Sequence, residues 1–457
     1  VMLPYTPLHY LLFSDAGDQP AEFAALVMTS GNISEEPIVT GNREAWQRLN
    51  PVADAFLLHN RDIYMRVDDS VVRTFEGRDR ALRRSRGYVP YPVDLGMEAE
   101  EILACGAQLK NTFCLTKGHY AFLSQHIGDL ENYETLRFFE ETLGNLKKLF
   151  RIEPKTVAYD LHPQYLSSRF ALGLPLERKV GVQHHHAHIA SCMAENHLTG
   201  KVIGVAFDGT GYGTDGQIWG GEFLVADYAG FERRAHLRYV PLPGGDAAVR
   251  QPWRMGLSYL IDAFGENEMP ELEFLQTISA KNVALVKDMI VRNISTVQTS
   301  SCGRLYDAVA AMIGLRSEVS FEGQAAIELE MAAQTAIGER YRFVIEEGEP
   351  FKVDMRPMIE DIVRDLGQSK AANQIAARFH QTLAAVVVEV CERIRREEKL
   401  SRVCLSGGTF QNMHLLKNTV ERLRKRGFEI FLHEKVPPND GGISLGQAVI
   451  ANQQLRA

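Results

Sequence analysis

One pattern occurs twice along these 457 residues and limits the folds open to the chain. Three short apolar segments with tight turns are followed by helices and strands in alternation. In the first round, residues 101–107, 112–116 and 120–124 read as strands. A long helical stretch over 131–150 follows, then strand 157–159, helix 165–171, strand 180–183 and helix 186–197. The second round opens at Lys201 with strands 202–207, 221–227 and 234–240. It closes with helix 375–399, strand 403–405, helix 410–425, strand 429–432 and helix 442–452. Periodicity separates the two element types, since strand side chains alternate and helical ones recur every three to four residues. A duplicated set of this kind predicts an α/β fold of the actin/Hsp70/sugar-kinase type, with its ligand in the cleft between the halves. Two unrelated α/β domains are the alternative.

Ahead of this region, residues 1–93 form a segment of different character. A short apolar run at 25–28 ends in Thr29-Ser30-Gly31-Asn32. A basic, turn-rich stretch at 78–92 ends in prolines, which favour extended backbone. The expected division is a first domain over 1–93, a linker at 94–98 and a second domain over 99–457, with halves at about 99–200 and 201–457. The chain begins with Val1 and reads from the middle of a domain, which suggests a fragment.

Bulk properties exclude some function classes. The net charge of −8 argues against a polyanion binder for the chain as a whole, while leaving room for a local basic patch. No apolar run nears the about 18 residues of a membrane span. The six cysteines contain no CxxC pair, which fits reduced thiols and a cytoplasmic setting.

The run Val182-Gln183-His184-His185-His186-Ala187-His188 lies where a strand gives way to a helix. Residues four apart share a helical face, so His184 and His188 can present two imidazoles to one ion. His185 and His186 point elsewhere and are candidate substrate or supporting groups. A solvated polar turn is the competing interpretation. Asp440, in Pro437-Pro438-Asn439-Asp440-Gly441-Gly442, is the candidate third ligand, with an ordinary helix cap as its alternative. Two imidazoles and a carboxylate suit Zn²⁺ or Fe²⁺.

Three glycine-rich stretches occupy matching places. Asp208-Gly209-Thr210-Gly211 follows a strand and reads as a phosphate-cradling hairpin loop, its Asp able to hold a metal or orient water. Gly407-Gly408-Thr409 with Asn412 lies at a strand-to-helix turn, an anion site. Gly106-Ala107-Gln108-Leu109-Lys110 is the counterpart in the first half, where Lys110 can reach a phosphate. Phe321-Glu322-Gly323-Gln324 precedes a helix, and reads either as a flap over a nucleotide or as a plain helix start.

With those residues in hand, the chain resembles the C-terminal part of hydrogenase-maturation carbamoyltransferases of the HypF family. TSGNISEEPI, MRVDDSVVR and RRSRGYVP resemble the second half of a YrdC-like domain. GAQLKNTFCL, YDLHPQYLSSRFA, VQHHHAHIASCMAENHL, FDGTGYGTDGQIWGGEF, FEGQAAIELE, LSGGTFQN and PPNDGGISLGQA resemble the TsaD-like transfer domain. The resemblance implies that carbamoyl phosphate is the carbamoyl source. ATP then forms carbamoyl adenylate, with pyrophosphate and later AMP as products. The final acceptor is the C-terminal cysteine of HypE.

It also implies a metal on His184, His188 and Asp440. The nucleotide would meet Gly209, Thr210, Gly323, Gly408 and Asn412, with Lys110 beside it. Ser30, Asn32 and Arg66 would lie near ATP or carbamoyl adenylate in the YrdC-like part. Asp208 and His185 are the expected catalytic groups. Three rivals share parts of the pattern: a tRNA threonylcarbamoyl enzyme, an actin-like sugar kinase and a non-catalytic nucleotide-gated scaffold. A sugar kinase leaves the His184/His188 pair unexplained. The acylphosphatase domain, the zinc fingers and the first half of the YrdC-like domain of that family have no counterpart here. The overall reaction from carbamoyl phosphate is therefore not expected of this chain alone.

Overall fold

The computed structural model of the chain describes residues 3–14, 23–33, 36–333 and 339–456. Two compact units divide it, Val1–Arg66 and Val67–Ala457. Within the first, helix Pro7–Leu12 is capped by Thr6, and helix Asn42–Leu49 sets Trp46 beside Phe56, ring centroids 5.3 Å apart. Among its described residues no strand forms.

The second unit starts before the boundary expected near residue 93. Strands Val71–Phe75 and Arg78–Arg83 form an antiparallel hairpin bonded into the larger body. The Ala81 N–H donates to the Glu434 carbonyl (2.8 Å), and Arg73 pairs with Glu330 (2.9 Å). Residues 94–98, expected as a linker, lie inside strand Val93–Ala99.

Two sheets follow, and they repeat one layout. In the first, the order is Val93–Ala99, Cys114–Leu123, Ile102–Ala104, Thr156–Asp160 and Arg178–Val182. The second has nine strands. Its matching core runs Phe231–Leu237, Ile218–Ala226, Val202–Tyr212, Arg402–Ser406 and Glu429–Phe431. In each, a central strand pairs antiparallel with the hairpin strand on one side and parallel with a later strand on the other. This is the duplicated α/β architecture that the alternation predicts.

The first half departs in one detail. The expected turn between strands at 112–116 and 120–124 is absent, and Cys114–Leu123 is continuous. Gly118 sits there at φ +57°, and the facing strand shifts register between Asp94 and Ala99. Lys117-Gly118-His119 therefore continues the strand where a turn was expected, and the bulge lies opposite, where residues 95–98 face His119 alone. The third strand comes instead from residues 93–99.

Helix His184–Glu195 is buried along residues 184–194 and packs against helix Ile443–Arg456. A methyl group on Gly446 would lie 1.9 Å from the Ala187 carbonyl oxygen, so only glycine permits this approach. Among the described residues, no helix is long and apolar enough to cross a membrane. All six cysteines are free and buried.

Candidate metal centre

A helix buried on every face is usually apolar, because unpaired polar groups cost free energy away from water. Helix His184–Glu195 breaks that rule with four imidazoles, and each has a specific environment. Gln183 caps the helix, its Oε1 accepting from the His186 N–H (2.9 Å). That fixes the amide, whose Nε2 donates to the Tyr212 carbonyl (3.1 Å) and to His185 Nδ1 (3.2 Å). His186 is directed away, its Nε2 donating to the Asp227 carbonyl (2.6 Å).

His184 and His188 share the opposite face, as the four-residue spacing requires. The His184 Nδ1–H donates to Asp160 Oδ2 (2.8 Å), which makes Nε2 the lone-pair nitrogen whenever the ring is neutral. That Nε2 faces Asp208 Oδ2 at 3.3 Å and Asp440 Oδ1 at 3.7 Å. His188 Nε2 lies 3.6 Å and 3.7 Å from the same two oxygens. The His184–Asp208 contact is a long hydrogen bond, the other three exceed hydrogen-bond length, and His188 Nε2 is a buried atom with no partner. The four donor atoms lie within 4.8 Å of one another. Ligands about 2.0–2.2 Å from a shared cation stand roughly 3–3.6 Å apart, so two imidazoles and two carboxylates in this arrangement fit one divalent ion.

Electrostatics agree with that donor set. Burial pushes the His184 imidazole down, but the Asp440 and Asp160 carboxylates outweigh it and raise its pKa well above the usual histidine value. Burial likewise opposes ionisation of Asp208, yet bonds from His184 and His188 hold it well below the carboxylate range. Asp440 is pushed well above that range, first by burial, with Asp208 adding to the shift. A single proton or cation among these groups relieves their mutual repulsion.

The remaining expected residues fall in several places. Asp440 is not a helix cap: Asn439 takes that role, accepting from the Gly441 N–H (3.0 Å), and the turn presents Asp440 to the histidine helix. Gly209 and Thr210 do not form a hairpin loop. They continue strand Val202–Tyr212, whose register shifts between Phe207 and Gly211. Gly408 donates its N–H to Asp208 Oδ1 (2.9 Å). Gly407 holds φ +100°, and any side chain there would meet the Phe207 carbonyl oxygen at 2.2 Å. Asn412 caps helix Met413–Lys425 through the Leu415 N–H (2.9 Å) and donates Nδ2 to His380 Nε2 (2.8 Å). Lys110 pairs with Glu322, next to Gly323, which starts helix Gln324–Ala332 at φ +75°. In the first unit, Ser30 Oγ donates to Asn32 Oδ1 (2.5 Å) and Arg66 Nε to the Ile38 carbonyl (2.8 Å).

His185 is buried beside His184 (ring centroids 5.2 Å) but is not among the four donors. Burial and the neighbouring His184 drive its pKa well below the usual value, so its ring is neutral. Since Nδ1 accepts from Gln183, the proton is on Nε2, which has no acceptor.

Sequence reasoning gave no role to Asp160, which orients His184, nor to Ser301, which caps helix Cys302–Met312 and donates to the Gly209 carbonyl. The Ser-Ser-Cys-Gly run before that helix was the available signal, a serine cap followed by glycine at a close approach (a Gly303 methyl would meet Gly209 Cα at 2.9 Å). Asp160 carries no local signal beyond its place at the end of a strand.

Comparison with known proteins returns matches along the chain. Residues 204–447 match the family described as Carbamoyltransferase, Kae1-like Domain, second subdomain. Residues 97–195 match the HypF Kae1-like domain, and residues 1–85 match a Sua5/YciO/YrdC family described as Telomere recombination. The chain is 39% identical to Carbamoyltransferase HypF2 of Cupriavidus necator, over 99% of its own length and 60% of that protein. It is 41% identical to Carbamoyltransferase HypF of Rhizobium leguminosarum bv. viciae, over 100% of its length and 59% of the relative. The chain thus spans about three fifths of these curated relatives. The crystal structure of a full-length HypF in the phosphate- and nucleotide-bound form superimposes with a TM-score of 0.93 at 47% identity, covering 100% of this chain and 71% of that one.

Proposed function

Because this chain belongs to the HypF carbamoyltransferase family, we propose that its second unit passes a carbamoyl group to a protein thiol in hydrogenase maturation. The convergence of His184, His188, Asp208 and Asp440, with His188 Nε2 left unpaired, carries this reading. The donor is carbamoyl adenylate, made from carbamoyl phosphate with ATP. The acceptor is the C-terminal cysteine of HypE. No nucleic acid or membrane takes part, and six buried free thiols fit a cytoplasmic protein.

His184, His188 and Asp440 hold one divalent ion, Zn²⁺ or Fe²⁺, with Asp208 as a fourth contact. When bound, such an ion supplies a Lewis acid for a carbonyl or phosphate oxygen. The chain's own groups do the rest. Asp208, anchored by Gly408 and kept ionised, balances the charge of the centre. The His185 Nε2–H donates to a substrate oxygen, a role that suits a neutral imidazole in a buried site. Gly209, Thr210, Gly323, Gly408, Asn412 and Lys110 line the nucleotide side of the cleft. Ser30, Asn32 and Arg66 bind the adenylate in the first unit. In the transfer itself the thiol sulfur bonds to the carbamoyl carbon. The bond from that carbon to the phosphate oxygen breaks, AMP leaves and the thiol proton passes to water. The buried walls of the centre keep competing water from the carbamoyl carbon.

The test uses wild-type and His184→Ala protein, with metal content measured on both. Single-turnover transfer to HypE follows, with carbamoyl adenylate supplied directly. One metal in the wild type, its loss in the variant and a carbamoyl adduct on HypE are expected. Equal metal content would sink the ligand assignment, and no adduct from supplied adenylate would sink the transfer assignment.

A further inference from the structure

The two metal-facing imidazoles are oriented by different means. His184 Nδ1 meets a carboxylate directly. His188 Nδ1 does not; its neighbour is Ser406 Oγ at 3.5 Å, at the end of strand Arg402–Ser406. The same hydroxyl lies 2.8 Å from His433 Nε2, and His433 Nδ1 lies 3.2 Å from Glu195 Oε2. Glu195 ends the histidine helix, and its other oxygen accepts from the backbone N–H groups of Glu434 (3.0 Å) and Lys435. The chain Glu195, His433, Ser406, His188 is buried throughout, with side-chain exposures of 6% for Glu195 and 2% for His433.

The donor and acceptor roles along this chain follow from its end. Glu195 accepts three N–H donors, one of which is His433 Nδ1–H. His433 Nε2 then carries the lone pair and accepts the Ser406 hydroxyl proton. A second acceptor for that proton, the Pro438 carbonyl, is 3.5 Å away and loses to the 2.8 Å bond. The Ser406 oxygen is left with lone pairs toward His188, so the nitrogen that faces it must be the one that bears hydrogen. His188 Nε2 thereby carries the free lone pair, in agreement with its lack of any partner.

We propose that Glu195, His433 and Ser406 are positioning residues that hold His188 in its Nδ1–H tautomer and so set the affinity of the metal centre. The inference rests on the metal reading above. It requires nothing of the reaction itself. Groups that orient a ligating imidazole in this way typically change metal affinity by about 10–100-fold when removed.

The experiment is a competition titration of Zn²⁺ against a chelator on the full chain. Wild type, Ser406→Ala, His433→Phe, the double variant and His184→Ala are compared. Ser406→Ala and His433→Phe should each bind one Zn²⁺ with affinity lowered by about 10-fold or more. The double variant should be little weaker than either single one, because both changes break the same chain. Nitrogen-resolved NMR of the metal-free protein should show His188 as a single Nδ1–H tautomer in the wild type and a mixture in Ser406→Ala. A merely structural role moves neither the tautomer nor the non-additivity. Full affinity in both single variants, with binding lost in His184→Ala, overturns the relay alone. Fully additive losses also overturn it. Undiminished binding in His184→Ala overturns the metal reading and the relay with it.

Discussion

Gly211 is the tightest point of the candidate centre and offers a sharp perturbation. A methyl group built on its backbone lies 2.5 Å from His185 Cε1 and 2.6 Å from His184 Cδ2. Ordinary contact begins near 3.4 Å, so Gly211→Ala places carbon about 0.9 Å inside it. The rings have little room to yield. Asp160 holds His184 from behind, and both histidines are fully buried. Metal–ligand distances tolerate displacements of about 0.2 Å, several times less than the intrusion. Overpacking of this kind costs about 1–3 kcal/mol of stability. The expected result is a folded protein with a lowered melting temperature and metal content well below one ion per chain. Gly144→Ala is the control: it lies in helix Tyr133–Phe150, meets nothing within 4 Å and should gain stability with metal unchanged. Wild-type metal content in Gly211→Ala would refute the argument that glycine is required there for space beside the metal ligands.

Three further outcomes are expected. His380 is buried and held neutral, its Nδ1–H donating to the Ala376 carbonyl and its Nε2 accepting from Asn412, and burial lowers its pKa to about 4. Its contribution is full above the unfolded histidine value near 6.5 and is lost as pH falls through about 4, a loss of about 3 kcal/mol that denaturation curves of His380→Gln should lack. Asn412→Ala removes a helix cap and should cost about 1 kcal/mol in urea unfolding, with weaker AMP binding by calorimetry; unchanged affinity would remove Asn412 from the nucleotide site. Lys110→Ala breaks a partly exposed ion pair with Glu322, so melting should barely move while ATP affinity falls; equal ATP affinity would count against a phosphate contact.

Much of the site was legible because its signals are local. Two histidines four apart share a helical face whatever surrounds the helix, and the Asn439-Asp440-Gly441-Gly442 run announces a tight turn. The strand alternation likewise displays its duplication. Two of the misreadings share one cause, which is that glycine marks unusual backbone without saying which kind. The stretch between 116 and 120 was expected to turn and continues a strand through Gly118; Gly209 was read as a loop and lies in a strand. Both follow from pairing with a partner strand, Ala99 opposite Gly118 in one case and Ile218–Ala226 in the other, which no glycine pattern displays.

The amino-acid order by itself therefore determined the element types, their repetition and the imidazole pair, since each depends on spacings of a few residues. Only the tertiary structure decided that Asp208 and Asp440, 232 positions apart, meet at those imidazoles, that Asp160 orients one of them and that Ser406 and His433 reach the other. It also decided that Val93–Ala99 completes the first sheet. Such partners are chosen by burial. A histidine enclosed in a core must find an acceptor for its hydrogen, and which strand end supplies it depends on how two sheets and two helices close around it.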